Sequence, residues 1–116
     1  MKKLIGSTLI VLTMALGSLK AGDAIAMETQ SGPVYFSKPI PLKAITSGEP
    51  DSMVVFIVAG PGTSLTVQGS VGGSAALGSI DPTKIGNDAK ELFVSAVEIF
   101  PDGTRLHSDP ITLKKM

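Results

Sequence analysis

The 116-residue chain has no cysteine, no tryptophan, one histidine, one tyrosine and four phenylalanines. Without cysteine there are no disulfides, no thiol nucleophile and no thiolate metal site. The lipid anchor that bacterial export systems attach to a cysteine is excluded as well. One histidine leaves zinc or copper without a usable ligand set. The lack of tryptophan removes the aromatic on which sugar-binding proteins most often stack a ring. Cationic runs are also missing: Lys+Arg and Asp+Glu both number 10. No basic stripe points to nucleic acid, and no polybasic or amphipathic segment points to a membrane surface.

The chain opens with Met1-Lys2-Lys3 and an uncharged run from Leu4 to Leu19. Lys20 to Asp23 is more polar, and Ala24-Ile25-Ala26 follows. A basic start, an apolar stretch and small residues at −3 and −1 make a cleavable secretory signal over residues 1–26, cut after Ala26. The apolar run is shorter than the roughly 20 residues a spanning helix needs. The expected mature chain, residues 27–116, suits one domain. It loses Lys2, Lys3, Lys20 and Asp23, so 10 basic residues become 7, 10 acidic become 9, and the net charge is about −2. The expected location is secreted or periplasmic, with no membrane anchor after cleavage.

Glycine and proline punctuate this mature region, and short runs of Val, Ile, Phe and Thr lie between them. That spacing predicts an all-β domain. Strands are expected at Val34–Ser37, Ile40–Thr46, Met53–Ala59, Ser64–Gly69, Ala75–Ile80, Glu91–Phe100 and Thr104–Leu113. Pro41 and Pro110 mark edges, bends or a kink. The best helical pattern, Pro82 to Leu92, can be capped by Asp81 but is broken by Gly86 and Asn87, so a turn or a single helical turn is expected. Pro101-Asp102-Gly103-Thr104 predicts the turn of a hairpin. The Gly/Ser-rich stretch from Gly60 to Gly78, centred on Gly72 and Gly73, reads foremost as a mobile connection. The sharper reading is a ligand loop in which backbone approaches a partner. It is not a phosphate loop, because no Gly-Lys-Ser/Thr follows.

Chemistry is sparse. His107 adjoins Ser108 and Asp109, but successive strand residues point to opposite faces, and there is no Gly-x-Ser-x-Gly elbow. Asp81, Asp88, Glu98, Asp102 and Asp109 are dispersed, without an Asp-x-Asp-x-Asp calcium loop. No cofactor, no catalytic residue and no metal ligand is expected.

Met53-Val54-Val55-Phe56-Ile57-Val58-Ala59-Gly60 resembles the third strand of bacterial immunoglobulin-like domains. Leu92-Phe93-Val94-Ser95-Ala96-Val97, then Pro101-Asp102-Gly103-Thr104 and Ser108-Asp109-Pro110-Ile111-Thr112-Leu113, resembles their C-terminal hairpin. The resemblance implies an immunoglobulin-like antiparallel β-sandwich of about seven strands and a habit of binding, with no shared catalytic residues. The cysteine pair and buried tryptophan of antibody-type domains are missing. The family pattern turns Leu92, Val94 and Ala96 inward, leaving Val55, Ile57, Phe93 and Val97 as a candidate apolar outer patch. Such a patch marks an interface unless the chain's own N-terminal segment or glycine-rich loop covers it, or a bulge turns the strand. The leading expectation is an exported non-catalytic module binding a protein partner or itself. A glycan- or matrix-binding module using the glycine-rich loop, with Gly72 and Gly73, and the turn residues is an alternative. So is an inhibitor or accessory subunit of an exported enzyme that inserts residues 60–74.

Overall fold

The computed structural model describes residues 25–116. The apolar leader run falls outside the described residues. Strands occupy Ala26–Met27 (β1), Gly32–Val34 (β2), Ile40–Ile45 (β3), Met53–Gly60 (β4), Thr63–Gln68 (β5), Ser70–Gly72 (β6) and Ala75–Ile80 (β7). Glu91–Ile99 (β8), Arg105–His107 (β9) and Ile111–Lys115 (β10) complete them. A 3-10 turn at Pro82–Lys84 joins β7 to the segment before β8.

The strands form two sheets. The smaller has the order β1-β3-β7-β6, and the larger has β2-β10-β8-β4-β5 with β9 also on β8. Alternation explains how they meet. Strand β3 buries Ile40, Leu42 and Ala44 and exposes the residues between them, the pattern of a strand with one face in a core. Residues from both sheets share one apolar cluster, among them Leu42, Ala76 and Ile80 from the smaller and Val54, Phe56, Val58, Leu92, Val94 and Leu113 from the larger.

Phe56 is fully buried at the centre of this cluster. Glycines make room for its ring: a Cβ at Gly78 would lie 2.9 Å from Phe56 Cε2, and one at Gly69 3.0 Å from the same atom. Contacts that short are inside van der Waals distance.

Several expected elements differ from those observed. The first strand lies at Gly32–Val34 rather than Val34–Ser37, because the chain turns at Phe36 before Pro39. Pro33 is tolerated because β2 is an edge strand bonded only to β10, in parallel. The glycine-rich stretch is not a loose connection. At Gly69, whose N–H donates to Val54 O at 2.8 Å, the chain leaves the larger sheet, and Ser70–Gly72 pairs with β7 in the smaller one. The register Gly72↔Ala75 leaves Gly73 and Ser74 as a two-residue turn, with Gly73 at φ +59, a conformation in which glycine avoids the Cβ penalty.

The last expected strand is split. Strands β9 and β10 both pair with β8, and Ser108-Asp109-Pro110 interrupts them. The Ser108 hydroxyl accepts from Ala96 N–H at 2.8 Å, while Ser108 N–H donates to Ala96 O at 2.9 Å. One serine thus satisfies both backbone groups of β8 at the gap. The hairpin turn forms as expected, with Phe100 N–H donating to Thr104 O at 2.9 Å and Gly103 at φ +91.

Candidate interaction surface

Strands β4 and β8 pair without a bulge from Met53↔Ile99 to Ala59↔Phe93. An unbroken register fixes which side chains share a face. Val54, Phe56 and Val58 go inward with Leu92, Val94, Ala96 and Glu98. The outward face therefore carries four cross-strand pairs in a row: Met53–Ile99, Val55–Val97, Ile57–Ser95 and Ala59–Phe93. Met53 is 49% exposed, Ile57 42% and Phe93 46%. Val55 is half-buried.

Val97 corrects the expectation. It points outward, as its place in the register requires, yet is only 3% exposed. Val55 flanks it on β4 and His107 on β9, and a short β-branched side chain between two occupied neighbours has little surface left to offer. Val97 is the floor of the stripe, and Met53, Ile57 and Phe93 are its contact-ready surface.

Polar residues border the stripe on both sides. Next to β4, the outward positions of β5 are Ser64, Thr66 and Gln68. Next to β8 lie Thr112 and Lys114 of β10, and Arg105 and His107 of β9. An apolar centre with a polar rim is the layout of a protein interface.

Gly72 and Gly73 lie elsewhere, at the tip of the β6–β7 hairpin in the smaller sheet, with open space around them. They do not join the stripe. Residues 60–74 form a Pro61–Gly62 turn, two strands and this tip, so they cannot act as a free inserting loop without breaking two ladders.

A second feature escaped sequence reasoning. Glu98 is fully buried, and its carboxylate accepts three hydrogen bonds. Ser47 N–H donates to Oε1 at 3.0 Å, and the Ser47 and Ser52 hydroxyls donate to Oε2 at 2.9 and 2.6 Å. Together they satisfy three donors that would otherwise be left without a partner. They pin the 47–52 turn, which contains Gly48 at φ +83 and Asp51 at φ +66. Parity offered a clue, since Glu98 follows Leu92, Val94 and Ala96 at two-residue steps.

Several other polar groups are occupied locally. Ser108 is committed to the backbone of Ala96, and His107 is exposed on β9, so the two do not form a nucleophile–base pair. Asp81 Oδ1 accepts from the Thr83 N–H and hydroxyl, and Asp102 Oδ1 from those of Thr104. The Thr83 backbone bond, then its hydroxyl, lowers the Asp81 carboxyl below its ordinary value. For Asp102 the Thr104 hydroxyl is the larger cause, followed by its backbone N–H. Among the described residues, no three His, Asp or Glu side chains converge as metal ligands. No described helix is long and apolar enough to cross a membrane.

No protein-family model matches the chain, and no curated protein is similar to it in sequence. Its fold is similar to that of an engineered protein solved by crystallography, with a TM-score of 0.59 at 13% sequence identity. The likeness covers 96% of this chain and 21% of that one. The chain thus spans about a fifth of the engineered protein's length, and the likeness concerns the fold alone.

Proposed function

We propose that this protein is an exported, non-catalytic interaction module with an immunoglobulin-like sandwich fold, which takes a protein partner through the outward face of β4 and β8. The observation that carries the reading is the unbroken row of cross-strand pairs with Met53, Ile57 and Phe93 half exposed between polar rims. Leaving these side chains in water forgoes roughly 25 cal/mol for each Å2 of apolar surface that a partner would cover. The basic start, apolar run and small residues of the first 26 positions support export. Two sheets around one core, with β2 parallel to β10 and a β8–β9 hairpin, suit the immunoglobulin-like pattern.

An apolar stripe of mostly aliphatic side chains favours a protein over a glycan. Among the described residues the exposed aromatics are Tyr35, just after β2, and Phe93 on β8; they make no shared stacking platform, and the glycine tip presents no side chain to a sugar. Site-specific photo-crosslinking in the exported fraction tests the reading. A crosslinker at Ile57 or Phe93 is expected to trap a discrete protein adduct, and one at Lys43, exposed on the smaller sheet, is not. Equal yields from all three positions, or none from any, would overturn it. An adduct of twice the chain mass identifies the partner as a second copy.

A further inference from the structure

Ile25 is 6% exposed and belongs to the apolar core. The two residues after it form β1, with Ala26 paired to Ile45 and Met27 to Ala44 at the edge of the smaller sheet. A cut after Ala26 would remove a core side chain and one of the two residues of β1. A domain this small, without disulfides, has little core to spare.

The neighbouring residues offer a second bond. Signal peptidases require small residues at −3 and −1. Gly22 and Ala24 meet that requirement for the Ala24–Ile25 bond as well as Ala24 and Ala26 do for the Ala26–Met27 bond. A cut after Ala21 would put Leu19 at −3, and a cut after Gly22 would put Lys20 there.

We infer that export processing cleaves the Ala24–Ile25 bond, so that the mature chain keeps Ile25 as the plug at the β1 end of its core. Water adds across that amide, leaving a carboxylate on Ala24 and an α-amino group on Ile25. The inference rests on the export reading, and its test separates the two. The full chain is expressed, recovered from the envelope or medium, and characterised by intact mass and N-terminal sequencing. A start at Ile25 is expected. A start at Met27 or Gly22 overturns the assigned bond and leaves export standing, whereas an intact chain beginning at Met1 overturns export itself.

Two variants sharpen the result. Ala26→Lys puts a charge at −1 of the rival bond but only at +2 of the assigned one, on a side chain exposed in β1. It should be processed to the same Ile25 start, and accumulation of unprocessed chain overturns the assignment. Ile25→Ser preserves both recognition positions of the assigned bond. Its mature product should melt roughly 10 °C lower than the parent. An unchanged Tm overturns the structural role given to Ile25.

Discussion

Strands β4 and β8 are apolar on both faces, yet the two faces have different neighbours. The inward face meets the smaller sheet: Val54, Phe56, Val58, Leu92, Val94 and Ala96 are all fully buried. The outward face meets nothing among the described residues, and Met53, Ile57 and Phe93 stay nearly half exposed. The outward face of the smaller sheet is mixed: exposed Ile45 stands across from Ala75, but exposed Leu77 stands across from Lys43, and Ser79 across from Pro41. Composition alone does not separate core from interface. The difference comes from whether a second layer lies opposite.

The contrast can be broken from the inside first. Phe56→Ala should cost about 3–5 kcal/mol in urea unfolding, because Gly69 and Gly78 beside the ring have no side chains to fill the cavity. A loss comparable to that of an outward substitution would erase the distinction between the faces. Glu98→Ala comes next, at about 3 kcal/mol, since it leaves the Ser47 N–H and two hydroxyls without their acceptor. Glu98→Gln should lose less, because its amide keeps one acceptor oxygen.

Gly78→Ala should cost about 1–2 kcal/mol by pressing on the Phe56 ring. Combined with Phe56→Leu, the two losses should be less than additive, because the smaller side chain relieves the clash. Strict additivity in the double-mutant cycle would show that the ring and the glycine do not meet.

On the outside, Ile57→Ser with Phe93→Ser should change stability by no more than about 1 kcal/mol, while abolishing capture of the partner, or self-association measured by sedimentation. Retained association with an intact fold would rule out the stripe as the interface.

The smallest expected effect is that of Asp102→Asn in the hairpin turn. The folded-state pKa of Asp102 is depressed by Thr104, so its contribution is present above the unfolded value and lost as pH falls through the folded one. The variant should therefore lower Tm slightly at neutral pH, flatten the acid limb below about 4, and converge with the parent once the carboxyl is protonated. An identical acid limb would mean that the Thr104 bonds persist in the unfolded chain.

Much of the fold was legible because the signals are local. Ala75–Ile80 forms with the expected bounds, and Met53–Ala59 gains only Gly60. Asp81 with Pro82 makes a capped single turn, and Pro101-Asp102-Gly103 closes its hairpin, since proline and glycine carry their φ preferences with them. The glycine-rich stretch was less legible because its glycines serve partners distant in sequence. Gly69 and Gly78 make room for Phe56, and only the ladder to β7 turns Ser70–Gly72 into a strand. Of the candidate site, Val55, Ile57 and Phe93 fall on one outward stripe. Val97 lies beneath it, and Gly72 and Gly73 are at another place altogether.

By itself, then, the sequence determined an all-β chain without disulfides, its main strands, its turns, and the doubly apolar character of β4 and β8. Each of these follows from residue chemistry and near-neighbour periodicity. Tertiary structure alone decided which apolar face is covered, that Val97 is shielded by Val55 and His107, that Glu98 is buried against two serines, and that Ile25 is part of the core. Those outcomes depend on what lies across a sheet or between layers, and residues far apart in the chain supply it.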